Sequence, residues 1–367
     1  MFLIAWRNLF QEKTRLLISV GGVAFSIVLI MMLTGLYRGW NDKMGQYIRS
    51  VPADLWVMQD GTEDMFHTPS LLPLSLADEL TKINGVDSAK PFNARRLVVS
   101  VNGQEFQLYI VGYNSATDAG RPARITRGKS VPGPGEIIID HSQSKKVNIG
   151  DRIDAAGRQL KVVGFSEGGD LVITSFAFTS PEELDKIQKL PDAVSQFWVT
   201  ISPGADSNKV ISNIEAALPD VAAVTRAQFV KNNTKIVSDS FLPVILILVL
   251  VSIAVGIAVI GLTIFTSTVE KSKEYGVLKA IGLNNQQLYG IVTRQAMVAG
   301  AIGFAIGTGL AFGLSATVGK YVPQFVSQIR AVDVAWILLL TLTMSVLAAF
   351  MPTRRLARID PAEVFKA

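Results

Sequence analysis

The sequence predicts an α-helical membrane domain of four transmembrane helices joined to an extracytoplasmic α+β domain, made of two βα-type halves with an inserted, mostly β subdomain. Three observations carry this expectation. The chain of 367 residues is 49% hydrophobic with a mean hydropathy of +0.35, too apolar for an ordinary soluble protein and too polar for one lying wholly in lipid. Its apolar residues collect in four runs, Leu16–Tyr37, Phe241–Val269, Gln295–Gly319 and Val334–Thr353, none of which contains Lys, Arg, Asp or Glu. Each supplies about the ~20 helical residues needed to cross ~30 Å of hydrocarbon. Between the first two runs, Trp40–Ser240 switches to strand-like alternation interrupted by short helical stretches.

Residues 1–15 set Phe2, Trp6, Leu9 and Phe10 against Arg7, Asn8, Gln11 and Glu12, the pattern of an amphipathic helix in the cytoplasmic membrane interface. The first span, 16–39, is too long for a signal-peptide core and lacks a small-x-small cleavage site, so it reads as an uncleaved anchor. The external domain occupies 40–240. It opens with a strand at Asp54–Gln59, a polar loop at Asp60–Pro73 and a helix at Ser75–Ile83, with Ser75 as N-cap and Asp78 in the first turn. Arg96–Val101 and Glu105–Val111 flank Asn102-Gly103, a hairpin signal. Short strands follow at Glu136–Asp140, Asp151–Ala155, Gln159–Phe165 and Leu171–Phe178, then a helix at Pro181–Lys189, and 112–194 reads as the inserted subdomain. Strand Gln196–Ser202, helix Asp206–Leu218 and strand Val221–Arg226 repeat the order of residues 54–101, each helix giving way to a short turn and a valine, Val86 or Val221. Spans at 241–269, 291–319 and 334–353 bracket a charged segment at 270–290 and a short external loop at 320–333, and 354–367 forms a tail helix.

Arg7, Lys13 and Arg15 precede the first span and Arg354, Arg355 and Arg358 follow the last, against only Lys320 and Arg330 between the third and fourth. That bias places both termini in the cytoplasm, Trp40–Ser240 outside and Glu270–Arg294 inside. The net charge of +5 needs no nucleic acid. Cysteine is absent, which excludes disulfides, zinc–thiolate sites and cysteine nucleophiles. Gly128-Lys129-Ser130 has Ala123 where a phosphate loop needs glycine, and Pro132 and Pro134 where it needs a helix. His67 and His141 lie far apart, without the local ligand spacing of a metal site, and no nucleophile stands beside a base. The apolar runs hold no charge, which argues against an ion-coupled carrier or an aqueous channel. Ala299, Gly303, Gly307, Gly309 and Gly313 give the third span small-xxx-small spacing, compatible with dimerisation or with ordinary membrane glycine usage. Met65, Phe66, Leu71 and Leu72, joined by Leu74, are either an exposed contact for substrate or partner or residues packed under their loop.

With no power source of its own, the chain directs attention to Glu270–Gly282, charged and helix-patterned between two spans. On a helix, Tyr275, Leu278 and Ile281 share a stripe with Val277 beside it, while Glu270, Lys271, Lys273 and Glu274 lie mostly elsewhere. Gly282 supplies the stop, and Asn284–Leu288 begins the next helix. A merely solvated turn would rarely need the stripe, so the segment reads as a docking handle for a soluble ATPase.

The pattern Glu270-x-x-x-Glu274-x-Gly276-x-Leu278-x-Ala280-x-Gly282 resembles the signature after the second span of MacB/FtsX-type (type VII) ABC transporter permeases. Pro352-Thr-Arg354-Arg355-x-Ala357-x-Ile-Asp360-Pro361-x-Glu363 is similar to that family's tail, where Asp360, Pro361 and Glu363 would cap a short interfacial helix. Ala5-Trp6-Arg7-Asn8-Leu9 is a third match, and with the chain length it looks closest to a DevC-like exporter subgroup. The resemblance covers the whole chain. It implies a non-catalytic permease of the bacterial cytoplasmic (inner) membrane, a homodimer working with two copies of a cytoplasmic ABC ATPase. That ATPase would bind ATP and Mg, this chain holding no cofactor. The resemblance implies ATPase coupling through Glu270, Lys273, Glu274, Tyr275, Gly276, Leu278, Lys279, Ala280, Ile281 and Gly282, and tail contacts through Arg354, Arg355, Asp360, Pro361 and Glu363. The external domain would correspond to the MacB-like periplasmic core domain, moving by mechanotransmission to expel an amphiphilic or hydrophobic substrate such as a lipid, a drug or toxin, or a haem-like molecule. Membrane lipids and a periplasmic adaptor are further candidate partners. The alternative is an FtsX-like mechanotransmitter that regulates an envelope enzyme without moving cargo.

Overall fold

The computed structural model describes residues 13–172, 174–190, 192–322 and 325–357. The chain divides into two compact units: one takes the residues up to Gly39 together with those from Phe241 onward, the other Trp40–Ser240. Of the expected N-terminal amphipathic helix, residues 1–12 lie outside the described residues, as do 358–367 of the tail.

In chain order α1 (Lys13–Ser50) precedes β1 (Leu55–Gln59), β2 (Leu72–Pro73), α2 (Leu76–Thr81) and β3 (Val86–Phe92). A strand-rich block follows: β4 (Ala94–Val101), β5 (Gln104–Gly112), β6 (Arg124–Gly128), β7 (Glu136–Asp140), β8 (Arg152–Ala155), β9 (Arg158–Glu167) and β10 (Ser175–Thr179). The inter-span unit then continues through α3 (Pro181–Gln188), β11 (Ala193–Val194), β12 (Gln196–Ile201), α4 (Ser207–Ala217) and β13 (Val221–Thr225). The last elements are α5 (Arg226–Glu270), α6 (Ser272–Ala280), α7 (Asn285–Tyr321), α8 (Ala331–Ala348) and α9 (Phe350–Ala357).

Within the inter-span unit, a four-stranded sheet runs in the order β13-β1-β12-β3 with every neighbouring pair antiparallel. β1 and β3 are therefore parallel but separated by β12, and β12 and β13 are separated by β1, so two β–α–β halves interlock. The two-residue side-chain period sends Leu55, Val57, Phe197 and Val199 to the face covered by Leu80 of α2 and by Val210 and Ile214 of α4. Trp56 and Trp198 alternate to the opposite face, with ring centroids 5.5 Å apart, and Phe229 stacks on Trp56 at 4.6 Å. Ser75 occupies the N-cap of α2 without a side-chain hydrogen bond, because its backbone is already helical. The pattern of Val86–Phe92 does not mark β3: its polar residues break the alternation and Pro91 speaks against a strand. Only its edge position, with a single neighbour, lets Pro91 sit in a ladder.

β9 pairs with β7 and β8, β8 with β4, β4 with β5, and β10 joins β5 to β7, so these strands close into a barrel with β6 alongside β9. Leu108, Ile110, Ile137, Ile139, Leu160 and Val162 fill its interior. The inserted subdomain thus starts at Ala94 rather than at residue 112. Asn102 and Gly103, at φ 49° and 77°, make the tight hairpin that their sequence announces. A turn signal is local, however, and does not say which sheet its strands join.

Among the described residues four helices are long and apolar enough to cross a membrane: α1, α5, α7, and the Ala331–Arg354 stretch, which breaks at Ala349 between α8 and α9. Their shared core holds Val23, Ile27 and Ile30 of α1, Ile260 and Ile264 of α5, Ile291, Val292 and Ala296 of α7, and Ile337 of α8. A Cβ added at Gly303 would stand 2.6 Å from Val23 Cβ, and one at Gly307 would stand 2.8 Å from the Ala24 carbonyl oxygen. The small-residue face of α7 is thus spent against α1 of the same chain, whereas Gly309 and Gly313 meet nothing within 4 Å. Gly303→Val should push α1 and α7 apart and lower stability by about 1–3 kcal/mol, read as a lower melting temperature in detergent, with Gly313→Val as an unaffected control.

At the start of α8, Gln328 N–H donates to the Gly35 carbonyl at 2.9 Å, and a Cβ at Gly39 would collide with the Val326 carbonyl. Asp333, 1% exposed, accepts from Arg330 N–H at 2.9 Å and Trp336 Nε1–H at 3.3 Å, and pairs with Arg38 Nη2 at 2.6 Å.

Candidate functional site

The segment between α5 and α7 is held at both ends. Lys271 N–H donates to the Ser267 carbonyl at 3.0 Å and Tyr275 N–H to the Lys271 carbonyl at 3.0 Å, so the backbone ladder of α5 passes into α6 almost without a gap. At the far end Gly282 N–H donates to Lys279 at 3.0 Å and Leu283 N–H to Leu278 at 3.1 Å, the paired bonds of a Schellman stop. Gly282 takes the left-handed φ of 104° that this stop requires. One residue on, Gln287 N–H donates to Asn284 Oδ1 and Asn284 N–H to Gln287 Oε1, both at 2.9 Å, a capping box that starts α7. Helix, stop and cap leave this turn little freedom.

The apolar stripe expected on α6 is divided in the structure. Tyr275, 3% exposed, belongs to the core shared by the spans, and Leu278 packs against that core. Gly276 is buried too. The outward face is Val277, Ala280 and Ile281, the last 70% exposed, framed by Lys273 and Glu274. The Tyr275 and Leu278 side chains root the helix in that core, because a helix this close to the spans buries one flank. Val277 and Ile281 lie one turn apart, and that spacing was the signal for the outward face. Lys279 is half-buried and Gly282 exposed. Glu270 is exposed but engaged, its carboxylate paired with the Arg15 guanidinium.

In the tail, the Arg354 guanidinium stands 4.4 Å from the centroid of the Phe350 ring, and Arg355 falls within α9. Asp360, Pro361 and Glu363 lie outside the described residues. The apolar group before α2 also divides. Leu72 is buried in β2 opposite Val194 and joins the sheet core, so it is corrected to a packing residue. Met65 is buried, with Tyr109 Oη–H donating to its carbonyl at 3.2 Å, while Phe66 and Leu71 border a cleft. His67 Nδ1 lies 2.7 Å from Asp64 Oδ2, and His141 meets the edge of Phe165. Among the described residues no group of three His, Cys, Asp or Glu could hold a metal ion.

These features define a multi-span membrane protein with a two-part domain between its first two spans and a doubly locked surface helix between the second and third. The chain belongs to the MacB/FtsX family of ABC transporter permeases: the MacB-like periplasmic core domain matches residues 16–217 and the FtsX-like permease C-terminal domain matches residues 246–361. It is 20% identical over 365 residues to an ABC transporter permease of Mycobacterium tuberculosis, covering 100% of this chain and 99% of that one. It is 22% identical to the putative hemin transport system permease protein HrtB of Staphylococcus epidermidis over 98% of each. It is also 22% identical to the macrolide export ATP-binding/permease protein MacB of Burkholderia lata, over 98% of this chain and 56% of that one. The solved periplasmic region of MacB from Actinobacillus actinomycetemcomitans is 16% identical with a TM-score of 0.37, covering 50% of this chain and 94% of that one. Membership in this family makes the chain a membrane permease and implies a partner ATPase.

Proposed function

We propose that the chain is the permease subunit of an exporter for an amphiphilic or hydrophobic substrate, and that a cytoplasmic ATPase docks on α6. The observation that carries this is the division of α6 into a buried root at Tyr275 and an exposed apolar patch at Val277, Ala280 and Ile281 between Lys273 and Glu274. An apolar centre ringed by charge suits a soluble partner, and a root in the span core passes that partner's movement to the spans. α1 and α5, of 38 and 45 residues, exceed the ~20 that a bilayer needs, and α5 carries Pro243 within it. The reading takes the working unit as a homodimer with two ATPase copies, which supply ATP and Mg, and both termini in the cytoplasm. Two relatives carry export in their names, for macrolides and for syringafactin, and a third carries hemin transport, which supports amphiphilic cargo.

Ile281→Asp and Glu274→Lys should each cut co-purification of the cognate ATPase at least about tenfold, the scale of an interface hot spot. Both side chains point outward, so the melting temperature of the permease should stay the same. Full ATPase recovery with both variants would sink the docking assignment. ATPase stimulation by an envelope hydrolase and by no amphiphile would replace export with enzyme regulation.

A further inference from the structure

The inter-span unit holds a cleft of about 620 Å³ that the docking reading does not use. One wall is the first part of α5, from Gln228 to Ser238, and the others come from Glu63 in the loop after β1 and Val224 of β13. Two neighbouring asparagines of α5 fasten that loop. Asn232 Nδ2–H donates to the Glu63 carbonyl at 3.0 Å, and the buried Asn233 accepts Met65 N–H at 3.1 Å through its Oδ1. Gln228 Nε2–H donates to Asn232 Oδ1 at 2.7 Å. Asn232 is therefore fixed from both sides, and the walls are set before any ligand arrives.

The charges of the cleft are left over. Lys231 and Glu63 are both exposed and line it from different walls, yet neither has an ion-pair partner among the described residues. Lys235 meets only Asp239, at 4.0 Å and largely in solvent. Lys231 and Lys235 also stand one turn apart on α5, a like-charge spacing that disfavours a helix and that an anion between them relieves. A simple anion would meet the Glu63 carboxylate, and a simple cation would meet the two lysines. A ligand carrying both charges satisfies both walls. The charge-free run begins at Phe241, six residues after Lys235, and lysines flanking a span reach the level of the lipid head groups.

We infer that this cleft binds the zwitterionic head group of a phospholipid bearing a primary ammonium, of the phosphatidylethanolamine type. The phosphate meets Lys231 and Lys235, and the ammonium donates to the Glu63 carboxylate. The volume of 620 Å³ lies within the ~300–1,000 Å³ of small-molecule sites. A choline head group has no N–H to give Glu63, and a glycerol head group has no cation for it. The site is separate from α6 and from the choice of cargo, so it stands or falls without the export reading.

The test is native mass spectrometry of the full chain in detergent micelles, without ATPase, supplied with equal amounts of dioleoyl phosphatidylethanolamine, phosphatidylcholine and phosphatidylglycerol. The parent should retain the ethanolamine lipid at least about fivefold over each of the others, the scale of one exposed charge pair. Glu63→Gln should erase the preference over phosphatidylcholine, and Lys231→Met/Lys235→Met should retain about fivefold less of the ethanolamine lipid. All three side chains are exposed, so both variants should melt as the parent does. Equal retention of the ethanolamine and choline lipids by the parent, a preference for phosphatidylglycerol, or undiminished selectivity in Glu63→Gln each overturns the site, as does undiminished retention by the double lysine variant. Water-soluble glycerophosphoethanolamine should compete only weakly; competition as strong as that of the lipid overturns the assignment to a lipid in favour of a free phosphate ester.

Discussion

Asp333→Leu should destabilise the membrane unit by about 2–4 kcal/mol. Asp333 is 1% exposed and carries three bonds at once: from Arg38 at 2.6 Å, Arg330 N–H at 2.9 Å and Trp336 Nε1–H at 3.3 Å. Removing one partner of a buried pair leaves an uncompensated charge, typically a loss of about 3–5 kcal/mol. The Arg38 side chain keeps 32% of its exposure, so water recovers part of that and the lower figure applies. The double variant Arg38→Met/Asp333→Leu should regain most of the loss, since both charges then leave together. It should still fall short of the parent by about 1 kcal/mol, the scale of a helix N-cap. Unfolding in mixed micelles checks this. A single variant no less stable than the double would mean that the pair contributes nothing.

The same pair shows where sequence reading stopped. The four spans were legible because lipid imposes a length and a composition that any window of the chain displays. Asp333 stands one residue before the charge-free run Val334–Thr353, and Arg38 one residue after Leu16–Tyr37. Each therefore looked like an ordinary flanking charge, and only the packing of α1 beside α8 joins them. The interlocking β–α–β halves were legible as a repeated order. β3 was not, since an edge strand needs neither strong alternation nor freedom from proline. The barrel's true start at Ala94 was hidden for another reason: strand pairing is set by distant residues, here β8 and β10. On α6 the helix, its stop and the following cap were all in the sequence. The rotation of that helix was not, because Tyr275 is turned inward by residues such as Leu288 of α7 that share its core.

Gly282→Pro should abolish coupling to the ATPase while the spans stay folded. Gly282 has open space around it, with nothing within 4 Å of an added Cβ, so crowding is not the constraint. The constraint is conformational. Its φ of 104° is unavailable to proline, which is fixed near −65° and has no N–H. The bond to Lys279 at 3.0 Å is lost outright, and the reversal that lets Leu283 N–H reach the Leu278 carbonyl cannot form. The local cost is about 1–3 kcal/mol, enough to unwind the last turn of α6, where Ala280 and Ile281 sit. Tyr275, a turn and a half earlier and buried in the core, should hold. Amide exchange at 281–283 should therefore rise sharply while that of Val292 and Ala296 in α7 remains slow. Gly282→Asn is the control: asparagine visits left-handed backbone more readily than other L residues, so it should keep much of the coupling. ATP hydrolysis that responds to the permease equally in parent and Gly282→Pro protein would show that the locked turn is not the path by which the ATPase drives this chain.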